Sequence, residues 1–271
     1  MTVFLNTILL GGSVRDKLEA AAAAGFDAVE VWREDVAACP GGAGEVRAMA
    51  ADLGLEIADI MVLRDATGLP DGLREAKRAE TLAVMDLALA LGAACVQSPA
   101  TMIAECVADR IDADLAWMAD QAAARGLVIS YEATAWSAVD NTLPAAWDRV
   151  RRLGAANVGV VVDSFHICAR GRDAGDLDGV PADRIFQVQL NDLIEPVGLD
   201  DLPHLIEVAR HRRVLPGEGR FPLADFMRRL DAMGYAGPMG VEVFSDVLKA
   251  RPPGEVARAA KAAFDRVAAV R

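Results

Sequence analysis

Residues 159–166 read GVVVDSFH, a run of small and β-branched apolar residues that ends on an acid, with a histidine three positions further on. A short unbroken apolar run of this kind predicts a strand buried on both faces, as in a parallel sheet covered by helices. The pattern repeats on either side. LVISYEA (127–133) precedes it, IFQVQLND (185–192) and PMGVEVF (238–244) follow, and VFLNTILL (3–10), DAVEVW (27–32), LEIADIMVL (55–63) and ACVQS (94–98) occupy the N-terminal half. Between these runs lie alanine- and leucine-rich segments with helical spacing, such as VRDKLEAAAAAG (14–25) and REAKRAETLAVMDLALALG (74–92). Gly25, Gly54, Gly92, Gly126, Gly154 and Gly234 stand where helix C-caps are expected. Eight strands alternating with helices over 271 residues predict an α/β fold, a single (β/α)8 TIM barrel occupying 1–271. The competing doubly wound sheet requires a glycine-rich phosphate loop after an early strand. LLGGSVRD (9–16), the early candidate, lacks the order of that loop.

The net charge of −12, from 28 basic and 40 acidic residues, argues against a surface built for phosphate backbones or anionic membranes. A local arginine cluster for a small anion is compatible with it. Cys39, Cys95, Cys106 and Cys168 show no C-x-x-C spacing, so free thiols are expected rather than disulfides or a zinc ribbon. MTVFLNTILLGG (1–12) has no basic flank or small-residue cleavage site, and no apolar stretch is long enough to span a bilayer. The expectation is a cytoplasmic protein without nucleic-acid or membrane partners.

A barrel of this kind places its chemistry at the carboxyl ends of its strands. The last four strands end with Glu132 in ISYEA, Asp163 in VVVDS, Gln189 in VQLND and Glu242 in GVEVF. Each alone has a plainer explanation: Asp163 could cap the residues after it, and Gln189 could satisfy buried backbone groups. Together they bring three carboxylates to one mouth, where they repel unless protonated or neutralised by a cation. A divalent ion is expected, and oxygen donors including a neutral amide suit Mg²⁺ or Mn²⁺, with Co²⁺ or Zn²⁺ as alternatives. His166 would sit at the rim of the same mouth, placed for proton transfer. Arg64 ends the third strand and Arg213 adjoins PGEG (216–219), so both are candidates to hold an anionic substrate. Arg210 and Arg212 have no such support, and His204 and His211 fall in the long segment after the seventh strand. Ser98 and Trp136 are candidate pocket walls.

The chain resembles the xylose-isomerase-like TIM barrels, the group of sugar-phosphate isomerases, epimerases and inosose dehydratases related to endonuclease IV. The resemblance rests on KLEAAAAAGFDAVEVW (17–32), DLGLEIADI (52–60) and GYAGPMGVEVFSD (234–246) and covers nearly the whole length. In that group Glu, Asp, His and Glu from strands five to eight hold a divalent metal. Glu132, Asp163 and Glu242 match three of these, while Gln189 stands where many members carry histidine. With DSFH (163–166), YEATAW (131–136), LRDATG (63–68) and the arginine-plus-PGEG loop, the chain is similar to the bacterial 3-dehydroshikimate dehydratases. The resemblance implies Glu132, Asp163, Gln189 and Glu242 as ligands, His166 as catalytic, and Arg64 and Arg213 as substrate-holding.

The expected activity is therefore a metal-dependent lyase that dehydrates a β-hydroxy ketone. The expected partner is a small carboxylate-bearing polyhydroxy ketone, 3-dehydroshikimate, giving protocatechuate; assembly into a homo-oligomer is left open. An isomerase or epimerase is the rival, with Glu132 and Glu242 as paired bases, and inosose dehydration lies between the two. A nuclease of the endonuclease IV type needs several histidines and a basic surface, and three histidines with a net charge of −12 supply neither. A non-catalytic sugar binder has no use for three carboxylates around one ion.

Overall fold

In the computed structural model, which describes residues 1–270, each apolar run forms a parallel strand: β1 Val3–Asn6, β2 Ala28–Trp32, β3 Glu56–Met61, β4 Cys95–Pro99, β5 Val128–Glu132, β6 Val158–Asp163, β7 Ile185–Leu190 and β8 Met239–Val241. The strands hydrogen-bond in sequence order, and β8 pairs with β1 to close the barrel. A single (β/α)8 barrel is the fold, as the alternation predicts. Closure depends on Gly240, because a Cβ there would overlap the carbonyl and ring of Phe4 on β1.

Capping residues set the helix boundaries. SVRD is a capping box: Ser13 Oγ accepts from the Asp16 amide (3.3 Å) and Asp16 Oδ2 accepts from the Ser13 amide (2.8 Å). The helix it starts, Val14–Ala24, ends at Gly25 in the left-handed conformation. All six glycines expected at helix ends have positive φ, between 69° and 86°. No helix among the described residues is long and apolar enough to cross a membrane.

Side chains alternate between the two faces of each strand. Val29 and Val31 of β2, Ile129 and Tyr131 of β5, Val158, Val160 and Val162 of β6, and Val188 and Leu190 of β7 pack into the core between barrel and helices. Burying each contributes about 1.5–3 kcal/mol. The opposite parity points to the barrel axis, and there this chain is polar. Asn6, Glu30, Asp59 and Gln97 from β1 to β4, with Gln187 and Gln189 from β7, are all essentially inaccessible.

The long segment after β7 is tied back to the mouth. Its middle is the helix Leu202–His211, and its return forms a bridge between Asp192 and Val214. The Asp192 carboxylate accepts amides from Leu193 (2.8 Å), Gly217 (3.1 Å) and Phe221 (2.9 Å). A Cβ at Gly219 would collide with that carboxylate and with the Leu193 carbonyl. PGEG thus lets the chain pass close to Asp192, which fixes the residues just before it, Arg213 included.

Candidate active site

Glu132 and Asp163 end β5 and β6 on the axis-facing parity, and Glu242 follows β8 on the same parity. All three are buried. Asp163 is both a cap and a site residue. Its Oδ1 accepts the Phe165 amide and Asn191 Nδ2, both at 2.7 Å. Its Oδ2 faces His166 Nε2 at 3.6 Å and Arg213 Nη1 at 3.3 Å. Glu132 Oε1 lies 3.8 Å from the same His166 nitrogen. Ligand atoms of Glu132, Asp163 and His166 come within 4.8 Å of one another. This trio shares Glu132 and Asp163 with the expected set and brings in His166 as a further potential donor.

The His166 ring is oriented by a backbone donor. The Ala135 amide donates to Nδ1 at 3.2 Å, so the neutral imidazole carries its proton on Nε2 and presents an N–H to the two carboxylates. Burial lowers its pKa to about 4, against the attraction of Asp163, and the ring is neutral near pH 7. Trp136 packs edge-on to it, with ring centroids 5.0 Å apart, and both line the mouth pocket.

Arg213 is the buried cation of the site. Its guanidinium is stacked on Phe165 and Phe244, at 4.3 and 4.8 Å to the ring centroids. Nε donates to the Ala209 carbonyl (2.8 Å) and Nη1 reaches Asp163 and Glu242 Oε2 (3.1 Å). One guanidinium against three carboxylates leaves an excess of buried negative charge. Burial, then the Asp163 charge, pushes Glu132 up to about 8. Glu242 is held well above the usual carboxylate range by burial, against the pull of Arg213. Acids that bind protons this tightly are what a site for a divalent cation looks like without its charge, so the donor set fits such an ion.

Gln189 pairs in register with Asp163 and is oriented by Glu30. Its Nε2 donates to Glu30 Oε1 (2.9 Å) and Gln97 Oε1 (3.0 Å). Its own oxygen has only a long 3.5 Å contact from Gln97 Nε2. It satisfies buried side chains rather than backbone groups.

The arginine expectations divide. Arg64 lines the rim with its guanidinium 5.4 Å from the Trp32 ring centroid, and Arg210 lines the same pocket. Arg212 turns outward to Glu195. His204 and His211 stay on the exposed surface near Glu195 and Asp246. Ser98 is not in the pocket lining. It shares the helix-facing parity of Val96, and its hydroxyl donates to the Leu63 carbonyl at 3.3 Å; the inward residue of that strand is Gln97.

Comparison with known proteins shows the family. A family model described as a xylose isomerase-like TIM barrel matches residues 18–267. The chain belongs to the xylose isomerase-like TIM barrels. A 3-dehydroshikimate dehydratase of Pseudomonas aeruginosa is 40% identical over 92% of this chain, which spans only 39% of that relative's length. An inosose isomerase of Halalkalibacterium halodurans is 32% identical over a shorter stretch, 38% of this chain and 34% of that protein. Among solved structures, a xylose isomerase-like TIM barrel/4-hydroxyphenylpyruvate dioxygenase fusion protein superposes with a TM-score of 0.92 at 32% identity, covering 98% of this chain and 42% of the fusion.

In this xylose isomerase-like barrel, reading strand ends alone misses the first four strands. Asn6 Nδ2 reaches Glu30 (2.9 Å) and Glu242 (3.3 Å). Gln187 Nε2 joins Glu30 (3.1 Å) to Asp59 (2.6 Å). The missed signal is parity: ADIM and AVEV each place one acid on the inward position of an apolar strand.

Burial pushes Asp59 up to about 7, and burial, then the Asp59 charge, holds Glu30 well above its usual range. The unfolded chain releases the Asp59 proton near pH 4 and the folded one near 7, so the folded state binds more protons between them. Stability from this site is full below about pH 4 and is lost as pH rises through 7. Asp59→Asn should remove that loss. In urea titrations of metal-free protein, the midpoint of the parent should fall from pH 5 to pH 8 by more than that of the variant. The difference over this window is bounded by about 3 kcal/mol, from about 1.4 kcal/mol per pH unit between pH 5 and 7. Equal pH dependence would show that Asp59 is ionised throughout.

Proposed function

We propose that the mouth of this barrel is the site of a divalent-metal-dependent lyase that dehydrates 3-dehydroshikimate to protocatechuate. The observation that carries the reading is the buried trio of Glu132, Asp163 and His166, with the His166 Nε2–H directed at the carboxylates. The identity to the Pseudomonas dehydratase supports the substrate. Asp163, Glu132 and Glu242 would hold the ion, with Gln189 as the neutral donor and Mg²⁺ or Mn²⁺ as the metals their oxygens favour. Such an ion supplies Lewis acidity at a ketone oxygen.

The side chains supply the rest. A carboxylate near Nε2, Glu132, takes the proton from the carbon α to the ketone and returns it to the β-hydroxyl. The C–O bond breaks, a C=C bond forms and one water leaves; a proton shift within the ring then gives the aromatic product. His166, neutral and protonated on Nε2, donates a hydrogen bond to the oxygen as it gains charge. Arg64 and Arg210 at the rim hold the substrate carboxylate, while Arg213, which lines the same pocket, pairs with Asp163 and Glu242 and partly offsets their crowded negative charge. Trp136 and Met102 wall the pocket and limit water.

A second reading, ketose isomerisation or epimerisation or the dehydration of an inosose, draws on Glu132 and Glu242 as two carboxylates that both bind protons tightly, and on the inosose isomerase match. Ultraviolet absorbance with 3-dehydroshikimate and Mg²⁺ or Mn²⁺ separates the two. A metal-dependent rise of the aromatic product, lost on chelation, is expected. No rise with any divalent metal would move the assignment to ketoses and inososes.

A further inference from the structure

Buried hydroxyls in a folded protein almost always have a partner, and one that does not calls for a reason. Around this mouth the rule holds with one exception. Ser137 Oγ donates to the Thr101 carbonyl (2.7 Å), Ser164 Oγ to the Asn191 carbonyl (3.0 Å) and Ser98 Oγ to Leu63, while Thr101 Oγ1 donates to the Thr67 carbonyl. Thr134 Oγ1 is buried with no partner, and the residue is 2% exposed. Three other buried side-chain atoms share that condition among the described residues: Asp59 Oδ1, Arg74 Nε and Asn191 Oδ1. None of those three residues lines the mouth pocket. Thr134 does, beside Glu132, His166 and Trp136.

We propose that Thr134 is a substrate-recognition residue: its Oγ1, closed off in the empty pocket, turns about the Cα–Cβ bond to hydrogen-bond a ring hydroxyl of the bound polyhydroxy ketone. The inference rests on the functional reading above and extends it to selectivity. A hydroxyl both donates and accepts, so it matches an alcohol rather than the carboxylate, which the rim arginines attract. Valine has nearly the same shape and would leave no unsatisfied group in the free protein. The hydroxyl therefore costs stability in the empty site and recovers it when a ligand hydroxyl arrives, which is how a site rejects analogues lacking that group.

Thr134→Val and Thr134→Ser test this in the metal-loaded protein. With 3-dehydroshikimate, Thr134→Val should lower kcat/KM by about 10- to 100-fold, mainly through KM. Its Tm without substrate should be unchanged or higher. Thr134→Ser should stay within about threefold of the parent, since it keeps the hydroxyl. The parent's preference for the substrate over one of its monodeoxy analogues should collapse in the valine variant. A purely structural threonine gives the opposite signature, a lower Tm with selectivity intact, and that result or an unchanged kcat/KM overturns the proposal. If the parent itself does not turn over 3-dehydroshikimate, the reaction assignment fails separately. Calorimetric binding of inososes and ketoses to parent and valine variant then decides, and equal or absent binding overturns the role of Thr134.

Discussion

A His166→Ala variant is expected to lose about 10²–10³-fold in kcat, the cost of removing one well-placed hydrogen-bond donor, while keeping its bound metal. The two halves of this result separate the roles open to the ring. Nε2 lies 3.6 Å from Asp163 and 3.8 Å from Glu132, close enough to be either a ligand or a donor to substrate. A ligand would take the metal with it, and metal analysis of the purified variant reads that directly. The pH profile separates donor from base. A ring lowered to about 4 and protonated on Nε2 does not titrate near neutrality, so the shape of the kcat profile between pH 6 and 8 should survive in the variant. A limb that disappears with His166 would identify it as the general base instead. Loss of the Ala135 contact to Nδ1 leaves a buried amide without its acceptor, which costs about 1–3 kcal/mol of stability and is read separately as a lower Tm.

The second large effect concerns Asp163. Asp163→Asn should weaken Mn²⁺ binding by at least about 100-fold, since a charged ligand is replaced by an amide whose orientation is already demanded by the Phe165 amide. The asparagine is preferred to alanine as a test, because it can retain that cap. Alanine also removes the acceptor of the Phe165 amide and of Asn191 Nδ2, and a buried donor left without a partner costs about 1–3 kcal/mol. Calorimetry on the parent should further show proton release on metal binding, and affinity that rises with pH up to about 8, because Glu132 holds its proton to about 8 in the free protein. Unaltered Mn²⁺ affinity in Asp163→Asn would remove this residue from the metal site.

His166 and Asp163 differ in how far the sequence reveals their roles. The eight staves were legible because each is a short apolar run closed by glycine-capped helices, and Glu132, Asp163 and Glu242 were legible because acids interrupt such runs at their ends. Ser98 shows the limit of reading ends without parity: it closes β4, yet the alternation turns it toward the helices and leaves Gln97 on the axis. Glu30 and Asp59 obey the parity rule but sit in mid-strand, where an acid reads as a solvated face. The state of His166 could not be read at all, because its orienting partner is the backbone of Ala135, a group that every residue type carries and no sequence distinguishes. Arg213 was found, but its ion pairs join residues far apart in the chain and depend on the Asp192 anchor.

The seam where β8 meets β1 has a consequence for how the molecule is made. Asn6, near the start of the chain, hydrogen-bonds Glu242 across 236 positions of sequence, and Gly240 must settle against Phe4 before the ring is complete. On the ribosome, where synthesis runs at about 5–20 residues per second, seven staves wait for the eighth. During that interval their axis-facing acids and amides are open to solvent, and both lateral edges of the sheet are unpaired. A polar lumen keeps such an open ring hydrated rather than sticky. The same side chains that crowd charge into the finished barrel thus protect its nascent form from collapse onto neighbouring chains.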